Sequence, residues 1–300
     1  MAIVKKYDSN YIYISERLKH RMESVLDAPL TIMEAPAGYG KTTTLKEFLK
    51  NQNVDYIWFN VDSKDKDKFF EDFTLRISTI SEEAAHKIAE IGFPTSEKDA
   101  KKITQALLDI HFREKCYFVV DNYQLIADKY FDFIVRDFSG NEYNKLSLIC
   151  LTQAIKSKDT LQYVVLKKLN YLGKEDFELT RAEIYDYFKL SGIKLEEDEL
   201  DFLYKYTEGW ISALFLQMLS YVSTNKFEPT VSIDSLVSKA IWENLSAKER
   251  DFLVNMSVFD SFSIRQAVYI YDGKMSEQEV EDLVERCGFI NYDSKSTKYY

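Results

Sequence analysis

Glycine and proline are scarce in this sequence, nine and four in 300 residues, where glycine alone averages ~7% of an ordinary protein. The shortage excludes a collagen-like, low-complexity or linker-rich chain. It also speaks against a turn-dense all-β protein, because tight turns draw on glycine. Cysteine is scarcer still. Cys116, Cys150 and Cys287 are odd in number, far apart and outside any CxxC or Cys/His cluster, which argues against a disulfide framework and against a zinc site. Each lies in an apolar run and reads as a small buried hydrophobe. His20, His86 and His111 are scattered and suit neither a metal site nor a catalytic triad. The basic start is not followed by an apolar segment of signal length, and no uncharged stretch is long enough to cross a membrane. The expectation is a cytoplasmic chain with no membrane partner. Positive charge is in deficit, 39 Lys and Arg against 49 Asp and Glu for a net charge of −10. Such a chain repels phosphate backbones unless it carries a local basic patch.

What is present is apolar material for a sizeable core: 46% hydrophobic and 15% aromatic residues, with no regular aromatic repeat to stack bases. The length implies two or three modules. In the first half, short apolar runs alternate with amphipathic segments. Leu30–Glu34, Asp55–Asn60, Cys116–Asp121 and Leu146–Thr152 are near-continuous apolar runs, as expected of strands buried on both faces of a parallel sheet. The segments near 41–50, 66–80, 97–112 and 123–137 have helical spacing. This rhythm predicts a doubly wound α/β domain over 29–172, after an N-terminal arm of 1–28. The charge run 62–68 reads as a solvated helix start.

Beyond residue 173 the strand signals fade. Arg181–Leu190, Leu195–Glu208 and Trp210–Val222 read as helices of a small helical module over 173–228, with Gly209 as a helix stop. A last module, 229–300, opens at Pro229 and continues with helical spacing from Ile233 to Leu245. Capping boxes follow at Ser246/Glu249, Ser263/Gln266 and Ser276/Glu279. A helix end at Gly288, a strand over Phe289–Tyr292, a turn over 293–297 and a returning strand from Lys298 predict a winged helix cut within its wing. The chain therefore reads as part of a longer protein. Residues 231–300 hold 12 acidic and 8 basic side chains, net −4, the wrong sign for a DNA-binding module.

Chemistry concentrates in one loop. The run Ala35-Pro-Ala-Gly-Tyr-Gly-Lys-Thr42 follows a strand and opens a helix. It matches the phosphate-binding pattern GxxxxGK[ST], with Ala35 in place of the first glycine. Gly38 and Gly40 allow backbone dihedrals and a close approach that a Cβ hinders. The N–H groups of Ala37, Gly38, Tyr39, Gly40, Lys41, Thr42 and Thr43 can then point at phosphate oxygens, aided by the helix N-terminus. Lys41 can reach the β- and γ-phosphates, and the Thr42 hydroxyl can bind Mg²⁺. Such a loop needs an acid at the end of a neighbouring strand for the metal's water shell, and Asp121 stands there. Asn122 occupies the place where many such ATPases carry a second acid to activate water. An amide cannot accept that proton, so hydrolysis is expected to be slow. Thr152 and Gln153 end a further strand, where a polar side chain could sense the γ-phosphate.

These motifs resemble those of the large ATP-dependent LuxR-family transcription regulators, within the STAND class of signal-transducing P-loop ATPases. The likeness runs in order through nearly the whole chain: Ser15-Glu-Arg17-Leu18 before the loop, the loop itself, Trp58…Asp62…Asp65, Val119-Val-Asp-Asn-Tyr-Gln-Leu-Ile126 and Thr207-Glu-Gly-Trp210. The resemblance implies ATP or ADP with Mg²⁺ as ligands, Arg17 and Gln153 near the nucleotide, and control by an inducer or regulatory protein acting through the full-length protein. It also implies self-assembly as an output, and a winged helix that packs on the nucleotide domain without binding DNA. Asn122, Gln124 and Gln153 depart from the family's second Asp, His and Arg. The reading that results is a nucleotide-controlled switch module. The alternatives are an active P-loop ATPase or kinase, and an interaction scaffold with a relict nucleotide site.

Overall fold

The four apolar runs form strands with the expected ends: β1 (Leu30–Glu34), β2 (Asp55–Asn60), β3 (Cys116–Asp121) and β4 (Leu146–Thr152). A short fifth strand, β5 (Asn170–Leu172), joins them. The structure is a computed structural model and describes residues 12–138, 145–155, 169–227 and 245–286, with positions 162, 166, 229, 242, 290, 292–293 and 298–299. The strands lie in the order β2-β3-β4-β1-β5, every pair parallel. The chain leaves β1 for the far edge, fills back towards it, and then adds β5 on its other side. Strand β4 is buried at every position and β3 likewise. The expectation of two-sided burial fails for β2. It is an edge strand, and Asp55, Tyr56 and Asn60 are exposed, since an edge strand lacks a neighbour on one side.

The chain forms two compact units. Among the described residues, one unit is 12–35 together with Lys41–Phe177; the other is Pro36–Gly40 together with the residues from Glu178 onward. The first holds the parallel sheet and its helices: α1 (Glu16–Asp27), α2 (Lys41–Gln52), α3 (Lys66–Ser78), α4 (Glu82–Ile91), α5 (Glu97–Leu108), α6 (Lys129–Phe138) and the single turn α7 (Lys174–Phe177). The segment expected as an arm thus contains a helix. Ser15 caps α1 by accepting from the Leu18 N–H, and Leu18, Met22 and Val25 face inward. Arg21 ties α1 down through Asp176 at 2.9 Å and the Tyr171 carbonyl at 2.8 Å. Helix α4 interrupts the stretch that the periodicity left between α3 and α5. Asp65, in the charge run, caps α3 through the Lys68 N–H. The core draws on the abundant phenylalanines: Phe59, Phe73, Phe118 and Phe131 are all buried, and Phe59 and Phe73 meet at 4.8 Å between centroids. Each such side chain stabilises the unit by about 1.5–3 kcal/mol.

The second unit contains α8 (Arg181–Leu190), α9 (Glu197–Thr207), α10 (Ile211–Thr224), α11 (Ala247–Met256), α12 (Ile264–Ile270) and α13 (Glu277–Arg286). It also holds a two-stranded antiparallel ribbon of β6 (Tyr292–Asp293) and β7 (Lys298–Tyr299). All three capping boxes read from the sequence form, at Ser246, Ser263 and Ser276. Helix α9 ends where expected: Glu208 takes the left-handed C-cap, φ 49°, and donates to the Tyr204 carbonyl, and Gly209 follows it at C′, also left-handed at φ 76°. Phe252, Phe262, Tyr271, Val280 and Leu283 build a separate small core. Of the helix expected over 233–245 only positions 242 and 245 are described; the stop at Gly288, the strand start at Phe289 and Cys287 lie outside the described residues, as does the turn expected over 293–297 apart from Asp293, which lies in β6. Among the described residues, no helix is long and apolar enough to cross a membrane.

Candidate functional site

The loop after β1 takes the conformation that its glycines allow. Gly38 and Gly40 both lie in the left-handed region, φ 81° and 84°, where a Cβ is costly. Lys41 and Thr42 then open α2, so their side chains leave the first turn of a helix whose N–H groups are unpaired within it. The Lys41 ammonium donates to the Ala35 carbonyl at the start of the loop. Lys41 is buried, and burial lowers its pKa to about 8 against the opposing pull of Asp121 and Glu34. A buried ammonium attracts an anion more strongly than one in water, because the local dielectric is low.

Asp121 ends β3 and is itself buried. It accepts from the Thr42 hydroxyl at 3.0 Å and from the Asn122 N–H at 3.0 Å. Strand β4 lies between β3 and β1, so parallel pairing brings together a hydroxyl and a carboxylate 79 residues apart. Those two oxygen ligands suit a hard divalent cation that keeps most of its waters. Among the described residues no cluster of three or more His, Cys, Asp or Glu could hold a metal by itself.

The remaining expected residues are placed as follows. Asn122 adopts a left-handed conformation, φ 60°, and its side-chain amide donates to the Val61 carbonyl at 3.2 Å. Gln153 follows β4, and its N–H donates to the Gln124 side chain at 3.2 Å. Thr152 is buried and bonds to the Ala154 carbonyl. The Arg17 guanidinium donates to the Glu175 carbonyl of α7 at 3.1 Å. Ala37, Tyr39 and Thr43 lie in or directly after the loop.

Two groups at the loop have no counterpart in the sequence reading. Glu34, the last residue of β1, accepts from the Tyr171 hydroxyl at 2.9 Å and from the Ile155 N–H at 3.1 Å. Burial raises its pKa although those two bonds and Lys41 pull it down. The only sequence signal for this pair was a carboxylate ending an apolar strand. Within the second unit, the loop tip meets α10. The Ser212 hydroxyl donates to the Gly38 carbonyl at 2.7 Å, and the Trp210 ring stacks on Tyr39 at 6.1 Å. A Cβ built on Gly38 would stand 2.7 Å from Trp210 Nε1. That indole nitrogen is shielded from solvent and has no hydrogen-bond acceptor among the described residues. Trp210 was matched to a family motif from the sequence, but nothing local linked it to the loop.

No protein-family model matches the chain. It is 25% identical to the HTH-type transcriptional regulator MalT of Yersinia pestis (strain Pestoides F) over 306 aligned positions, 96% of this chain and 33% of that protein. It is 28% identical over 255 positions to the MalT of Vibrio parahaemolyticus, 78% of this chain and 28% of that one. The chain thus spans about a third of the length of these relatives. Among solved structures, a Walker-type ATPase of Pyrococcus abyssi matches with a TM-score of 0.61 at 14% identity, covering 98% of this chain and 95% of the other. Along nearly its whole length, then, this chain resembles the MalT regulators in sequence, and its fold is that of a Walker-type P-loop ATPase.

Proposed function

We propose that the chain is a nucleotide-binding switch module of a transcription regulator, taking ATP or ADP with Mg²⁺. One observation carries the reading: Lys41, Thr42 and Asp121 converge behind a loop whose two glycines are left-handed. The N–H groups from Ala37 to Thr43 would cradle the phosphates, and Lys41 would meet the β- and γ-phosphates. Thr42 and Asp121 would hold the metal, which supplies charge neutralisation between phosphate oxygens. Slow turnover is part of the reading. Asn122 cannot act as a base, and its amide is engaged by Val61. Arg17 and Gln153 would stand near the nucleotide, Arg17 from the start of α1 and Gln153 from the end of β4.

The switch rests on the loop tip, where the Ser212 hydroxyl bonds the Gly38 carbonyl and Trp210 packs against Gly38. A ligand shifts such an equilibrium only by its differential affinity for the two states; going from 1:99 to 99:1 takes ~5.5 kcal/mol. The charged γ-phosphate and its metal are the groups able to supply that difference. The helices and ribbon after Glu178 take the role of the helical module and winged helix, with inducer response and assembly belonging to the whole regulator.

The test is calorimetric titration of Lys41→Ala with ADP and ATP. Loss of binding with an unchanged circular-dichroism spectrum is expected. Unchanged affinity would remove the loop from the site. Turnover of many ATP per second by the wild-type chain would favour an active ATPase instead.

A further inference from the structure

A groove of 820 Å³ runs between α3 and α4, and none of its lining residues belongs to the phosphate-binding loop. Phe70, Thr74 and Leu75 from α3, Ala85 and Ala89 from α4, and Phe93 beyond it form its floor and walls. The α3 residues that line it recur at the spacing of one helix face, from Asp67 to Ser78. Leu75 is 67% exposed, an unusual position for a leucine beside other apolar side chains. The rim is acidic: Asp67, Glu71 and Glu82 line it, and no lysine or arginine does.

The local charge pairing sharpens the point. Every lysine and arginine on α3 and α4 is matched to a carboxylate: Lys66 with Asp128, Lys68 with Asp62, Arg76 with Asp72 and Lys87 with Glu83. His86 faces Glu90 at 3.6 Å. The three rim carboxylates take no part in these pairs. An open apolar trough about three helical turns long, edged by carboxylates left over from pairing, is complementary to a helix with apolar anchors on one face and Lys or Arg beside them. It is too open to enclose a small molecule, whose pocket buries most of its surface.

We propose that the α3–α4 groove docks a basic amphipathic helix of a partner protein. The probe is a fluorescein-labelled Leu/Lys amphipathic peptide of about 18 residues, titrated with the full chain and followed by anisotropy. Saturable binding is expected. The exposed-site variant Leu75→Asp and the double variant Glu71→Lys/Glu82→Lys should each weaken it at least about tenfold. The double variant Glu23→Lys/Glu114→Lys, with the same change in net charge but away from the groove, should leave it unchanged. A matching Leu/Glu peptide should not bind. Absence of binding by the Leu/Lys peptide, or equal weakening by the two charge-reversal pairs, overturns the proposal. So does full displacement of the peptide by millimolar benzylamine, which would assign the groove to a small organic cation.

Discussion

Lys41 shows how one side chain couples stability and ligand binding. Its pKa is lowered to about 8 by burial, against about 10.4 in an unfolded chain. Between those values the unfolded state holds the extra proton, so stability rises with pH across that window. In Lys41→Met this contribution is absent. The stability of the wild type relative to that variant should therefore improve from pH 8 to pH 10, as urea denaturation at several pH values would measure. Nucleotide affinity should move the opposite way, because the phosphate needs the ammonium. Raising the pH from 7 to 9 should weaken ADP binding to the wild type, and a flat titration series would exclude Lys41 as the phosphate anchor. Gly38 is the second residue whose identity is decided at this scale. Its φ of 81° disfavours any Cβ, and the space a Cβ would occupy is already taken by the Trp210 indole. Gly38→Ala should cost about 1–2 kcal/mol from the left-handed backbone alone and weaken nucleotide binding, readable by chemical denaturation and by titration.

Between α9 and α10 the chain turns through two left-handed residues, Glu208 at the C-cap and Gly209 at C′ as read from the sequence. Gly209 is required for a second reason: a Cβ there would lie 2.3 Å from the Leu179 carbonyl oxygen, and its own carbonyl accepts from the Leu179 N–H at 3.0 Å. Two backbones touch, so neither can give way as a flexible side chain would. Gly209→Ala should destabilise the second unit by about 2 kcal/mol or more, from the left-handed φ and the backbone clash together. A fall in its melting temperature with the sheet-bearing unit unaffected is the expected calorimetric result. Elements whose signals are local were correctly placed: the four apolar strands kept their ends, and the three Ser-to-Glu or Ser-to-Gln spacings became capping boxes. Helices α1 and α4 and strand β5 were not foreseen. The two helices carry local signals that the reading passed over, N-caps Ser15 and Ser81 and the inward faces Leu18–Met22–Val25 and Ala84–Ala85–Ile88, whereas β5, three residues long, is fixed by its pairing with β1.

For the whole molecule, ligand linkage is the measurable quantity. Ligand binding to the folded state stabilises it by RT ln(1 + [L]/Kd), ~2.7 kcal/mol at a hundredfold excess over Kd. ADP should raise the melting temperature of the wild type, and in Ser212→Ala, which frees the Gly38 carbonyl at the loop tip, the shift should shrink. Identical shifts in wild type and variant, followed by differential scanning calorimetry, would deny Ser212 a part in nucleotide binding. The sequence by itself determined the α/β rhythm and the loop chemistry, because Gly38, Gly40, Lys41 and Thr42 act through covalent neighbours and a strand–loop–helix context only a few residues long. Tertiary structure alone decided that Glu34 meets Tyr171 across 137 residues, that Trp210 and Ser212 grip the loop tip, that β2 is an edge, and that three carboxylates remain unmatched along α3 and α4. These depend on side chains brought together by the order of strands and the packing of helices, and no local spacing encodes which distant residue will stand opposite.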